Sequence, residues 1–192
     1  MQSISLTSGR LCLRPWSDPE RSESREVDAD VAALLDAYAD PQMARFVSWR
    51  VRDTEEALAY LRIRAGEWAA GTRCSWAVIE GAGEPASVAG EVGVKQIDRV
   101  TGTAHLAVWT HRSSRGRGLA AQAVRAACDF AFSALGLTRL SYTHAASNTA
   151  SAVVAQRAGF QCAGPERPGA GPDDPRADRI LWVRGSPASA TG

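Results

Sequence analysis

The chain has 192 residues, 45% of them hydrophobic, enough for one well-buried core and too few for two domains of ordinary size. Its 22 basic and 21 acidic residues leave a net charge of +1, so no global field points to nucleic acid or to an anionic membrane, and basic character has to be local. Met1 to Arg14 lacks a charged start followed by an apolar run, no stretch approaches the roughly 18 apolar residues of a membrane span, and Cys12, Cys74, Cys128 and Cys162 are scattered without a CxxC pair. The expectations are therefore a cytoplasmic location, reduced packing cysteines and no metal site.

In chain order, Leu11 to Arg14 alternates like a short strand, and the charged stretch Asp18 to Asp30 leads into a helix over Val27 to Ala39. Pro41 disfavours helical geometry at the residue before it and should stop that helix near Asp40. Asp53-Thr54-Glu55-Glu56 has the form of a capping box, which starts a second helix over Thr54 to Ala70 with Gly71 as its C-terminal cap. Ala57, Leu58, Leu61, Ala65 and Trp68 form its apolar stripe. Trp76 to Glu80, Val88 to Asp98 and Thr103 to Thr110 read as consecutive antiparallel strands, joined by turns at Gly81 to Pro85 and near Thr101-Gly102. A long amphipathic helix begins at Leu119, with Ala120, Val124, Ala127, Cys128, Ala131 and Leu135 on its packing face. Arg139 to His144 is a strand, and Ile180 to Val183 is the last one. Between them the Gly- and Pro-rich tract Ala163 to Asp178 predicts a loop, and Ser186 to Gly192 a frayed tail. One domain over 1–185 follows.

The richest local signal is Arg115-Gly116-Arg117-Gly118-Leu119-Ala120, which joins the strand ending at Thr110 to the long helix. Two glycines permit a tight turn, and the free N–H groups and dipole of the new helix make an anion cradle. Arg112, Arg115 and Arg117 near it suit a ligand with several phosphates. Walker spacing is absent, which disfavours a nucleotide-binding module. Downstream come the strand Arg139 to His144 and then Asn148-Thr149-Ala150-Ser151, opening a segment that ends in Gly159-Phe160.

Taken whole, this order resembles the GNAT superfamily of acyl-CoA-dependent N-acyltransferases, whose cofactor loop reads Gln/Arg-x-x-Gly-x-Gly/Ala. Arg115, Gly118 and Ala120 hold its three defining positions. Within the superfamily the chain looks most like the ribosomal-protein N-terminal acetyltransferases (RimJ/RimL-like). Arg10-Leu11-Cys12-Leu13-Arg14-Pro15 reads like their opening strand, and Asn148 and Ser151 match their Asn-x-x-Ser. The resemblance spans Leu11 to Trp182. It implies an α/β (α+β) GNAT fold: a mixed, strongly twisted sheet with helices on both faces, splayed between the strand Thr103 to Thr110 and the strand Arg139 to His144.

The same resemblance implies acetyl-CoA as cosubstrate. Backbone N–H groups of Arg115, Gly116, Arg117, Gly118, Leu119 and Ala120 would hold its pyrophosphate, and Val108, Trp109, Thr110 and Asn148 its pantetheine. It implies direct acetyl transfer to a primary amine in a ternary complex, with Ser151 protonating the departing thiolate. Relatives often carry a glutamate where this chain has His105, so His105 and Glu91 both stand as candidate bases, each with a plain reading as a strand residue. Phe46, Trp49 and Trp68 could wall the acceptor site or be core. Asp40, Asp53, Glu166, Asp173 and Asp174 could bind a cationic acceptor or face solvent. The acceptor stays open between a protein N-terminal α-amine and a small-molecule amine, and the acyl group between acetyl and a larger one such as succinyl. A homodimer, and a non-catalytic acyl-CoA-binding domain, are the remaining alternatives.

Overall fold

A computed structural model describes residues 1–47, 49–81, 87–167 and 178–187. The elements in order are β1 (Leu6–Ser8), β2 (Leu11–Pro15), α1 (Ser24–Tyr38), α2 (Pro41–Phe46), α3 (Thr54–Ala70), β3 (Arg73–Glu80), β4 (Val88–Asp98), β5 (Thr103–Thr110), α4 (Leu119–Ser133), β6 (Arg139–Ala145), α5 (Thr149–Arg157), β7 (Gln161–Pro165) and β8 (Arg179–Gly185). All eight strands form one mixed sheet in the order β1-β2-β3-β4-β5-β6-β8-β7. Every neighbouring pair is antiparallel except β5–β6, which is parallel. A parallel pair needs a crossover, and α4 supplies it.

Strand alternation sorts side chains to the two faces and so builds two cores. On one face Trp76, Val92, Val94, Leu106 and Leu140 pack under Val124, Ala127, Cys128 and Ala131 of α4. On the other, Ala77 and Ile79 pack with Trp16 against Val27, Val31 and Leu34 of α1 and Tyr60 and Leu61 of α3. The expected stripe of α4 is therefore its packing face, with Ala120 as the exception. Ala120 is half-buried and lines a cavity.

The sheet comes apart at its parallel seam. β5 and β6 are in register only from Thr103↔Arg139 to Leu106↔Tyr142. Beyond Leu106, β5 continues to Thr110 paired with β4 alone, while β6 continues to Ala145 paired with β8 alone. The backbone of Ala107 to Thr110 thus has one free edge facing a wedge-shaped gap.

Several elements differ from the sequence reading. The tract from Ala163 begins as part of β7, which uses Gly164 at φ 90° and Pro165 on the outer edge of the sheet, where a missing N–H donor is harmless. Its remainder from 168 to 177, with Asp173 and Asp174, lies outside the described residues, as do 82–86 and the tail 188–192. The apolar face of α3 is rotated from the expected stripe: Tyr60 and Arg64 are buried, while Leu58 and Ala65 are half-buried. Cys162 is exposed rather than packed. No helix among the described residues is long and apolar enough to cross a membrane.

Candidate active site

α4 starts after Gly118, which lies in the left-handed region at φ 79° and has no side chain with which to cap the helix. The first intrahelical bond runs from Gln122 N to Gly118 O at 3.2 Å, so the amides of Leu119, Ala120 and Ala121 lack intrahelical acceptors. A Cβ built on Gly116 or Gly118 would meet nothing within 4 Å, so the loop stands open on its ligand side. It opens onto a cavity of about 340 Å³ that runs along Val108, Trp109 and Thr110 to Asn148 and Ser151. An uncapped helix N-terminus joined to a strand edge with unused donors and acceptors fits CoA: diphosphate at one end, an amide-bearing arm along the other.

The three arginines near the loop do not supply the cradle's charge directly. Arg112 is bonded to Asp36, Arg115 to Asp40 and to Gln42 at 2.7 Å, and Arg117 to Glu80 at 2.7 Å. The anion site is therefore mainly backbone, and Arg117 does not line the cavity, whereas Arg157 of α5 does. Asp40 is spent as well. It caps α2 through Gln42 N, and that bond together with Arg115 holds its carboxyl below the usual range. Asp53 caps α3 through Glu56 N at 2.8 Å, and Glu166 pairs with Arg179 at 3.1 Å.

A second cavity of about 410 Å³ lies on the other side of the split. The two share Phe46, Val47, Val108, Trp109, Tyr142, Asn148 and Ser151 as a common wall. At that wall the hydroxyls of Tyr142 and Ser151 are hydrogen-bonded to each other. Ser151 stands in the first turn of α5, held there because Asn148 Oδ1 accepts from Ser151 N at 3.1 Å. Asn148 is thus a helix cap and a cavity-lining residue at once. Burial pushes the Tyr142 phenol above its ordinary pKa, and the Ser151 hydrogen bond partly offsets that.

The floor of the second cavity is a polar row across neighbouring strands, because Arg73↔Lys95, Lys95↔His105 and His105↔Ser141 are register partners on one face. Glu91, two residues before Gly93 on that face, is 2% exposed. Its Oε1 accepts from Arg73 at 3.0 Å, and its Oε2 accepts from Trp16 Nε1 at 3.0 Å and from the Tyr60 hydroxyl. His105 sits in a directed chain. Arg179 donates to Thr143 Oγ1 at 2.5 Å, Thr143 faces His105 Nε2 at 3.4 Å, His105 Nδ1 faces Ser141 Oγ at 3.1 Å, and Ser141 donates to Ala104 O at 3.2 Å. That direction assigns the proton to Nδ1. Burial first, then Lys95 and Arg179, pull the His105 pKa down to about 4.

Among the described residues, charge on this cavity is one-sided: Arg45, Arg64, Arg73, Lys95 and Arg179 stand against Glu91 and Asp178. Phe46 and Trp49 line it. Trp68 lines neither cavity; it is buried against Trp76 and Phe130 with its indole donating to Ser75 O at 3.0 Å. Tyr142, Arg64, Arg73, Lys95 and Arg179 were not singled out by sequence reasoning. A signal existed for some: Glu91, Gly93 and Lys95 in β4, and Ser141 and Thr143 in β6, repeat at period two, which marks a polar sheet face.

Residues 10–161 match the acetyltransferase (GNAT) domain family. No curated protein matches the sequence. Among solved structures, RimL, the ribosomal L7/L12 α-N-protein acetyltransferase solved with coenzyme A, aligns at a TM-score of 0.76 and 19% identity, covering 95% of this chain and 98% of that one. The ribosomal-protein-S5-alanine acetyltransferase from Vibrio fischeri aligns at 0.75 and 18%, over 95% and 96%. The microcin C7 self-immunity acetyltransferase MccE, solved with acetyl-CoA and AMP, aligns at 0.75 and 13%, over 93% of each chain.

Proposed function

The chain belongs to the GNAT acetyltransferase family, whose members use acetyl-CoA, and from that premise we propose that it acetylates a primary amine delivered through the 410 Å³ cavity, either a protein N-terminal α-amine or a small-molecule amine. The observation that carries this reading is the shared wall, where two cavities of different character meet at Ser151 and Tyr142. Such a wall lets donor and acceptor approach from opposite sides of the sheet without a covalent enzyme intermediate.

Acetyl-CoA supplies the thioester. The chain's own residues then have three tasks. Loop amides from Arg115 to Ala120 bind the diphosphate, and the free edge of Val108, Trp109 and Thr110 pairs with the pantetheine. An N–H on that edge is placed to stabilise negative charge on a carbonyl oxygen. Ser151 delivers a proton to the departing sulfur, and Tyr142 orients that hydroxyl and can resupply it.

The third task is to hold the amine neutral, and here the charges of the cavity favour a particular answer. With its pKa near 4, His105 is a weak acceptor for the proton of an ammonium whose pKa lies at roughly 8 to 10. Glu91 already accepts three hydrogen bonds. The surrounding cations instead lower the pKa of any ammonium that enters. Lys95 reports that field, because burial and the nearby Arg73, Arg179 and Arg64 pull its own ammonium below the usual range. An α-amine, ordinarily titrating near 7.7 to 8.0, then needs little further help near neutrality. We assign Glu91 to holding Arg73 and Tyr60, with water-mediated proton uptake as its remaining catalytic option.

Thermal stabilisation by acetyl-CoA and CoA tests the donor half. Both should raise the melting temperature, ATP should not, and Gly118→Glu should abolish the effect by placing a charged side chain on a left-handed residue at the cradle. Release of free thiol on adding amines tests transfer. A folded protein indifferent to both CoA species would overturn the reading.

A further inference from the structure

We infer that the acceptor amine belongs to a molecule that also carries an anionic group, a carboxylate or a phosphate, and that Lys95 binds this group on the cavity floor. The inference rests on the reading of the 410 Å³ cavity as the acceptor site, and it adds the chemical class of what enters.

Among the described residues the five cations on the cavity outnumber its carboxylates, and most of them already have partners. Arg73 is held by Glu91 at 3.0 Å, Arg64 is bonded to Glu67, and Arg179 pairs with Glu166. Lys95 has no hydrogen-bond or ion-pair partner among the described residues. It stands half-buried between Arg73 and His105, whose imidazole is kept neutral and offers no counter-charge. A cation so placed is unfavourable until an anion joins it.

Ala107, in the register row next to His105, presents only a methyl group to the cavity. A polycation, by contrast, would enter a site already crowded with its own sign.

The test compares acceptors that share an amine and differ in charge, at saturating acetyl-CoA and low salt: the tripeptide amides Ser-Glu-Asp and Ser-Lys-Lys, and O-phosphoethanolamine against ethanolamine. The peptide pair reads carboxylates on a chain terminus, and the second pair reads phosphate on a small molecule. In at least one pair the anionic member should show about tenfold higher kcat/KM. That ratio should collapse to about twofold in Lys95→Gln and recover in Lys95→Arg, with the KM for acetyl-CoA unchanged. Quenching of tryptophan fluorescence by the same compounds, with CoA bound, reads binding without turnover. Equal use of both members, a preference for the cationic one, or a preference that survives in Lys95→Gln overturns the inference and leaves amine acetylation standing. Anionic compounds that bind through Lys95 but are never acetylated would overturn both the transfer reading and the identity of the acceptor, and leave only an anion site. Compounds of neither charge binding overturns the inference outright.

Discussion

Two residues at the shared wall, Ser151 and Tyr142, have separable jobs that substitution can tell apart. Ser151 has the smaller and more accessible hydroxyl, set in the first turn of α5 and reached from both cavities. Tyr142 is 3% exposed, so its hydroxyl is fixed by packing and acts chiefly through its partner. A proton donor positioned at the leaving group contributes about 10² or more to the rate. Ser151→Ala should therefore lower kcat by about a hundredfold while leaving the affinity for acetyl-CoA within about twofold. Tyr142→Phe keeps the ring in the core and removes only the hydroxyl; it should cost about tenfold in kcat and leave the shape of the pH–rate profile between pH 6 and 9 unchanged, because burial keeps this phenol protonated there. Steady-state kinetics across pH 6 to 9 measures both. If Ser151→Ala left kcat intact, the serine would be only the first-turn residue that its hydrogen bond to Asn148 already explains.

At the scale of elements, two helix caps with the same hydrogen-bond pattern carry different burdens. Asp53 accepts from Glu56 N at 2.8 Å and lines neither cavity, whereas Asn148 accepts from Ser151 N at 3.1 Å and lines both. Removing either cap should cost about 1 kcal/mol, or about 2–4 °C in melting temperature for a chain of this size. Asp53→Ala should do only that. Asn148→Ala should also weaken acetyl-CoA binding, and Asn148→Ser, which keeps a cap but shortens the side chain, should restore stability without restoring affinity. Titration calorimetry beside thermal melts separates the two effects. Caps of this kind are also why elements were legible in sequence: Asp53 and Gly71 bracket α3 at the expected residues, and alternation delimited β4 and β5. α2 was hidden because Pro41 reads as a stop, although at the first position of a helix its missing N–H costs nothing. β1, three residues long, and β7, containing Gly164 and Pro165, are too short or too irregular to show a period and exist only because neighbouring strands pair with them. The glycine loop before α4 was readable because it is backbone around glycines contiguous in sequence. The cation-rich lining of the second cavity was not, because Arg64, Arg73, Lys95 and Arg179 come from four separate elements that meet only across the sheet.

For the whole molecule, the decisive feature is that one sheet is built as two blades joined along four register pairs of β5 and β6. The gap that admits a cosubstrate exists because the blades part after Leu106 and Tyr142, so the seam must hold without being extended. His105 lies within that seam and bridges β5 to Ser141 and Thr143 of β6. Its neutrality matters there, since a protonated imidazole would lie beside Lys95 and Arg179 and could no longer accept from Thr143. The pKa falls from an ordinary 6.5 to about 4 in the folded chain, so between these values the unfolded chain binds the proton and the folded chain does not. Stability from this group is therefore complete above about pH 6.5 and declines as the pH falls towards 4, by about 2 kcal/mol on going from pH 7.5 to pH 5. His105→Gln has no proton to gain. Urea unfolding at those two pH values should show the wild-type chain losing about 2 kcal/mol more than the variant, with the acid-weakened state losing acetyl-CoA binding as the blades separate. An equal loss in both would mean that the seam is held by its backbone pairs and by α4, and that the acid sensitivity of the fold arises from groups other than this histidine.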